Sequence, residues 1–365
     1  MLIIQIVPAF IIKLGLPHLI GYVPQKLRPI LLASFWTLAA VVTAACPPNV
    51  TPLFRTLMTL LASASAAATE VSCLGRLPYY GRSALVGWGI GTGAGNLASS
   101  VAPFIWTAHM GHQIRAAIGY VYYFIGFILC AYYIVLPEPM ESESTLNGQL
   151  SKSDEVNRAQ SSSLLIQEPQ TQPKRLASRI QQNLDILGEI QHPYIMLLLV
   201  SAASQSMLAP GINRGHAVFR GFRSFESFVA SHNLAFHLGG FISRSSILVL
   251  RIRNIERLQR CLIIASIVCL LGVVGNILPS VILLHGLLSC VGVLAGATYI
   301  NAIASTWDYL TTNSPENTEF GLSAVGLGES TGLLGGSLVA CFIESQMCTS
   351  GPFLGMRWCT DPKAY

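Results

Sequence analysis

The sequence predicts an all-α, polytopic membrane protein made of two helical bundles. Of its 365 residues, 52% are hydrophobic and only 11% are charged, and the mean hydropathy is +0.54. A soluble domain carries about 25% charged residues, so this chain has less than half the usual load. Apolar segments of about 17–25 residues, the length that crosses a bilayer as a helix, lie on both sides of a polar stretch at 136–191.

Ten candidate spans follow from the hydropathy, five on each side of the polar stretch. The division predicts an N-terminal bundle (1–136), a loop (137–192), a C-terminal bundle (193–344) and a tail (345–365). Lys and Arg are more frequent on the side of the central loop, and RIRNIERLQR at 251–260 is the strongest element of this bias. The positive-inside rule therefore predicts a cytosolic loop. The spans are 1–22, 29–46, 53–75, 84–108, 115–136, 193–212, 227–250, 260–277, 279–304 and 322–344.

The central loop is rich in Ser, Gln and Glu, which predicts disorder. Its Leu164-Leu165 pair resembles a dileucine sorting signal, and the alternative is a chance apolar pair in a linker. Near the end of the loop, apolar residues recur with helical spacing, which predicts an amphipathic helix over 176–191 lying on the membrane surface. These residues are Leu176, Ile180, Leu184, Leu187 and Ile190.

Two ionisable residues inside predicted spans are the main candidates for a functional site. Glu70 lies in the Ala/Ser/Thr-rich segment LASASAAATEVSCLG, and a carboxyl in a bilayer needs a partner or a water-filled cavity. It would couple to substrate or proton, or else be neutralised by Arg76 or a headgroup. Arg244 would pair with Glu70 or Glu329 or bind an anionic substrate group. Its alternative is to snorkel toward Arg251.

Other polar residues in the spans have a structural interpretation. Lys13 is expected to be structural or to snorkel, and His237 and His285 are expected to be hydrogen-bonded helix residues more than proton relays. No Cys/His spacing is typical of a metal site, and no catalytic motif is present. We therefore expect no enzyme, no cofactor and no metal. The absence of a basic-aromatic patch argues against nucleic acid as a partner.

Two glycine-rich segments, at 87–95 and 326–336, predict packing seams or hinges. A dinucleotide-binding interpretation is weak, because no strand precedes the first segment and it opens a membrane span. The two segments fall on equivalent helices if each bundle has six spans, which is the parallel-repeat plan of major-facilitator transporters. Glu70 and Asn301 then lie on the preceding helix of the first and of the second bundle, respectively. Six spans per half require one more before residue 1, so we expect the first span to be missing.

Several segments resemble the battenin family in collinear order over nearly the whole chain. They include WGIGTGAG, GGFISRSSILVLRIR, GATYINAIA and PENTEFGLSAVGLGES, together with PAFIIKLGLPHLIGYVPQKLRPILLA. The resemblance implies a major-facilitator-like fold of eleven spans in the vacuolar or lysosomal membrane, with a sorting signal in a cytosolic loop. It also implies a link to vacuolar pH balance, to basic amino acid transport and, for the animal member, to glycerophosphodiester export.

The resemblance places the family's functional positions on Glu70, Gly91, Thr92, Gly93, Arg244 and Asn301. Gln205 stands where the family has a glutamate, and Glu329 stands where aspartate is usual, so both join the candidate substrate or coupling residues. We predict a transporter of a small solute, a cationic amino acid or a glycerophosphodiester, acting in vacuolar transport and pH homeostasis. Membrane lipid and sorting adaptors are its other expected partners. The alternative is a non-transporting protein that organises trafficking through its loop.

Overall fold

The computed structural model describes residues 2–20, 23–24, 27–45, 52–105, 128, 172–206, 225–274 and 280–349. Within these residues every regular element is a helix and no strand occurs, which confirms the all-α class. The sorting pair Leu164-Leu165 and almost all of the predicted span 115–136 lie outside the described residues.

The described residues of the first half form four helices: α1 (Leu2–Ile20), α2 (Arg28–Ala45), α3 (Pro52–Tyr80) and α4 (Arg82–Ile105). Their bounds match four of the predicted spans, except that α3 continues beyond residue 75. It ends at Tyr80, because the next residue, Gly81, has a φ of +73° in the left-handed region that glycine adopts without strain. The sharp turn at this glycine lets α4 begin at once.

The second half starts with α5 (Gln172–Ile190), which continues through one π-helical turn (Gln191–Ile195) into α6 (Met196–Ser206). The described residues that follow form the long helices α7 (Phe225–Ser245), α8 (Ile255–Val274), α9 (Val281–Asn313) and α10 (Thr318–Thr349). Between α9 and α10, Ser314 departs from helical geometry before the short helix Pro315–Asn317. All five predicted spans of this half therefore correspond to helices.

Three stretches of the described chain are long and apolar enough to cross a membrane: Thr56–Tyr80, Val281–Asn313 and Pro315–Ile343. Two shorter apolar helices, Ile6–Ile20 and Met196–Gln205, accompany them. This agrees with a membrane protein. The arrangement of ten spans stays a prediction.

The two halves pack against each other along several helices. Helices α1 and α3 contact α10, and α4 contacts α7. Leu74 of α3 joins a buried cluster built mainly from α9 and α10, including Ile300, Ile303 and Leu322, each fully buried. The halves therefore share one apolar core, and any polar group at their interface is enclosed by it.

Helix α5 confirms the helix predicted over 176–191. Its C-terminal part packs into the protein, because Ile186 and Ile190 are buried in the core shared by the halves. Ile180 and Leu184, which come earlier in the helix, stay exposed. The apolar face predicted to lie on the membrane is thus divided between the protein core and the outer surface.

Candidate functional site

A buried ion-pair cluster lies where the two halves meet. The Lys13 Nζ atom of α1 is 2.8 Å from Oε2 of Glu70 in α3 and 3.5 Å from Oε2 of Glu329 in α10. The Lys13 side chain is 5% exposed, so its charge is held almost wholly by these two carboxylates. One ammonium therefore joins a carboxylate of each half. We call these three residues the Lys13 cluster.

Lys13 lies in the middle part of its helix, and its side chain is buried inside the protein. It stands seven residues before Ile20, about 10 Å along the helix axis from that end. An ammonium at such depth needs carboxylate partners inside the protein, and the structure supplies two. Snorkelling, one of our two expectations for Lys13, is therefore wrong. This depth in an apolar helix was the signal that would have assigned Lys13 to the site.

The second half adds an aromatic ring and a second cation beside the cluster. The Tyr299 hydroxyl of α9 donates to Glu70 Oε1 at 3.5 Å, a long hydrogen bond. The Arg244 guanidinium carbon lies 4.3 Å from the centroid of the Tyr299 ring, a cation–π contact. Tyr299 lies in the GATYINAIA segment that carries the family resemblance, but it was not chosen as a site residue, because an aromatic residue in an apolar helix is usually part of the core.

Arg244 makes neither of the ion pairs expected for it. Among the described residues, the ion pairs of Glu70 and Glu329 are both with Lys13, and no carboxylate lies at salt-bridge distance from Arg244. Its positive charge therefore faces the cluster from across the Tyr299 ring.

Gly326 leaves room for the ion pair on the α10 side. A Cβ atom added at this position would lie 3.0 Å from Glu70 Oε1 and 3.5 Å from Lys13 Nζ. The first distance is tighter than ordinary van der Waals contact, so any larger residue would press on the carboxylate. Part of the second glycine-rich segment thus belongs to the site itself.

The first glycine-rich segment is a packing seam along one face of α4. An added Cβ would lie 3.0 Å from the Arg244 carbonyl oxygen at Gly89 and 3.2 Å from Phe241 at Gly93. The seam that we predicted is confirmed at these two positions, and Gly93 sets how closely α4 approaches the helix that carries Arg244. At Gly91, no atom of the described residues lies within 4 Å of an added Cβ, so this glycine faces away from α7.

Three other predicted residues do not join the cluster. Thr92 and Gln205 each hydrogen-bond a carbonyl four residues earlier in their own helix, at 2.8 and 3.1 Å. Asn301 is 3% exposed and accepts a hydrogen bond from the Ile252 backbone N–H at 3.0 Å. Asn301 therefore anchors the segment after α7 to α9, which is a structural task.

A second ion pair joins the halves near the ends of their helices. Arg28, the first residue of α2, donates to Glu319 Oε1 at 2.6 Å, and the Tyr79 hydroxyl donates to Glu319 Oε2 at 2.9 Å. Arg28 is 5% exposed and also donates to the Ile20 carbonyl at 2.9 Å. Glu319 of α10 is thus fixed to two helices of the first half, and Arg28 links the pair to the end of α1.

Two histidines of the second half, His232 and His285, make structural hydrogen bonds within and between its helices. The His285 Nε2 atom lies 3.0 Å from the Ser231 hydroxyl oxygen, so its expected hydrogen bonding is confirmed. The buried His232 ring hydrogen-bonds the Phe228 carbonyl at 2.7 Å. Within the described part of the chain, no group of three or more His, Cys, Asp or Glu side chains is placed to hold a metal ion.

Comparison with known proteins assigns the family. The model of the CLN3 protein family matches residues 1–350. Protein btn-1 of Neurospora crassa is 26% identical over 399 residues, covering 100% of this chain and 84% of the relative. Protein BTN1 of Yarrowia lipolytica is 28% identical over 370 residues, covering 98% of this chain and 88% of the relative. With its apolar helices, this chain is a membrane protein that belongs to the CLN3, or battenin, family.

Proposed function

We propose that this protein is a solute transporter of the vacuolar or lysosomal membrane. The observation that carries the proposal is the buried Lys13 ammonium, which bridges carboxylates from the two halves of the fold. In major-facilitator transporters the substrate site lies between the halves, so that its occupancy biases their relative arrangement. Membership of the battenin family supports the vacuolar or lysosomal location.

The energetic cost of the Lys13 cluster supports a functional role. Burying an ion pair costs desolvation that its Coulomb attraction only partly offsets, and an apolar replacement is often as stable. A protein that needed only a rigid interface would be served by apolar side chains at these positions. Charges that exchange partners can instead link ligand binding to a change in the contact between halves, because a ligand shifts an equilibrium only through differential affinity.

The same site offers charges of both signs to a solute. The Arg244 guanidinium has a planar fork that suits a carboxylate or phosphate, and it has no carboxylate partner among the described residues. Glu70 and Glu329 would receive a cationic group that competes with Lys13. Both solute classes implied by the family resemblance, cationic amino acids and glycerophosphodiesters, carry groups that this site can bind. Proton exchange at the carboxylates would connect transport to vacuolar pH.

Vacuoles from cells that carry site variants test this proposal. Glu70→Gln and Lys13→Met should change lumenal pH or solute content as deletion of the protein does, because each removes one charge from the cluster. The matched control is Glu316→Gln, since Glu316 is an exposed carboxylate remote from the cluster. All variants must first reach the vacuole in wild-type amounts. Wild-type pH and solute profiles in both site variants would reject the site.

The alternative, a protein that organises trafficking through its loop, predicts the opposite pattern. Deleting residues 140–175 would then abolish function even in protein that reaches the vacuole, whereas the Lys13 cluster variants would be silent. A transporter should tolerate the deletion once it is targeted.

A further inference from the structure

Helix α8 presents one continuous exposed face that changes character along its length. The opposite side of the helix is buried against the second half, for example at Leu262 and Cys269. The exposed residues recur every three or four positions, which places them on one side of a helix. They are Arg253, just before the helix begins, then Arg257, Arg260, Ile264, Val268 and Leu271.

The apolar part of this face is left uncovered by the described part of the chain. Ile264, Val268 and Leu271 are 62%, 52% and 60% exposed. In the membrane arrangement proposed above, on which this inference rests, such a face is turned to lipid. Arg260 lies eleven residues before Leu271, about 16 Å along the axis. The arginines therefore lie at the headgroup end of a lipid-facing stripe.

The three arginines are not used in ion pairs within the described residues. The neighbouring Arg251 contacts Asp308 at 2.6 Å, but no carboxylate lies at salt-bridge distance from Arg253, Arg257 or Arg260. Glu256 is the acidic residue of this short stretch and is itself exposed. The surface therefore keeps a net positive charge that faces outward.

The segment that leads into α8 adds apolar side chains beside the arginines. Val249 is 92% exposed and Leu250 is 59% exposed. Exposed apolar residues next to a basic group are the composition of surfaces that insert into the interfacial layer of a bilayer. The positive-inside rule requires only that Lys and Arg lie at the cytosolic end of a span. It does not require them to lie on the lipid-facing side of the helix, so a topology signal alone does not explain this placement.

We infer that Arg253, Arg257 and Arg260 form a binding surface for anionic phospholipid headgroups in the leaflet that contains this end of α8. The guanidinium groups would bind headgroup phosphates bidentately, while Val249 and Leu250 hold the segment against the acyl region. Arginine near an anionic leaflet strengthens association by about fivefold per residue, so three arginines give about a hundredfold.

Native mass spectrometry of the purified full-length protein tests the surface directly. The protein is titrated in detergent micelles with phosphatidylserine, with a phosphatidylinositol phosphate, or with phosphatidylcholine as the zwitterionic control. Wild type should retain the two anionic lipids preferentially. The triple variant R253Q/R257Q/R260Q should lose about a hundredfold in apparent affinity. Glu256→Gln should retain more anionic lipid, because it removes the opposing charge.

The control variants and ligands distinguish lipid binding at this surface from a misfolded variant, from a role in topology alone and from binding of a soluble phosphate. A triple lysine variant, R253K/R257K/R260K, keeps the charge but loses the bidentate geometry. It should bind anionic lipid less tightly than wild type and more tightly than the glutamine variant, and it still tests the surface if the glutamine variant fails to fold. Equal retention of anionic lipid by wild type and the glutamine variant would overturn the inference and leave the arginines as topology determinants only.

If free inositol phosphate binds as tightly as the anionic lipids, the assignment to lipid is overturned. Because retention needs no transport, failure of the vacuolar test alone would leave this surface standing.

Discussion

Replacing Lys13 with methionine removes the ammonium that joins the halves but keeps a side chain of similar length. At an effective dielectric constant of about 20, a charge pair at 2.8 Å is worth about 6 kcal/mol and one at 3.5 Å about 5 kcal/mol. The desolvation of Lys13 and the repulsion between the two carboxylates offset part of this attraction. Because the variant leaves two carboxylates without their cation, we expect a net loss of about 3–5 kcal/mol.

Thermal unfolding of the purified full-length protein in one detergent measures this loss as a fall in apparent melting temperature. Glu70→Gln should lower it more than Glu329→Gln, since Glu70 is the nearer partner of Lys13 and also accepts from Tyr299. The double variant Lys13→Met/Glu70→Gln should be more stable than the sum of the two single losses predicts. Removing both members of a buried pair leaves fewer uncompensated charges than removing one.

Two outcomes would refute this reasoning. If Lys13→Met melts at the wild-type temperature, the ammonium does not stabilise the interface between the halves. If the effects of Lys13→Met and Glu70→Gln simply add, the two residues are not energetically coupled, because coupled neighbours deviate from additivity by about 0.5–3 kcal/mol. Lys13→Arg keeps the charge and serves as the conservative control.

Two further variants on α10 each have a matched control, with melting temperature as the measurement. Gly328→Ala should lower the melting temperature by an amount equivalent to about 1–3 kcal/mol, because the new Cβ meets a carbonyl of the π-helical turn. Its control, Gly335→Ala, lies in open space and should leave the melting temperature unchanged or raise it. Glu319→Gln should cost about 1.5–3 kcal/mol by weakening its charged hydrogen bond with Arg28, whereas Glu316→Gln, at an exposed carboxylate, should be neutral. Equal melting temperatures within either pair would contradict the corresponding contact.

Helix positions followed from the sequence because apolar length marks a span independently of its neighbours. Helix ends were less predictable. The span predicted to end at residue 304 continues as α9 to Asn313, because the residues beyond the apolar window include no Gly or Pro and the next proline is Pro315. Helix α3 continues through Gly75 and Pro78 and stops only before Gly81, whose φ is positive. Hydropathy marks where the chain is apolar, whereas the backbone conformation at particular residues decides where the helix ends.

The site was only partly predictable, for a physical reason. Glu70, Arg244 and Glu329 attract attention singly because a charge inside an apolar segment is costly. Their pairing depends on helix register across the two halves, and Lys13 lies 316 residues from Glu329. That register is set by close backbone contacts, such as those of Gly89 with the helix of Arg244, which no local pattern encodes.

The charge balance of the site bears on how transport would be driven. Lys13 and Arg244 balance Glu70 and Glu329, so the site is neutral when it is empty and both carboxylates are ionised. A solute anion that binds Arg244 adds a negative charge in a poorly solvated interior, and neutralising it requires a cation. A proton on one carboxylate would restore neutrality and would also weaken the hold of Lys13 on that half. We therefore expect anionic solutes to bind more tightly at acidic than at neutral pH, and Glu70→Gln to reduce this dependence.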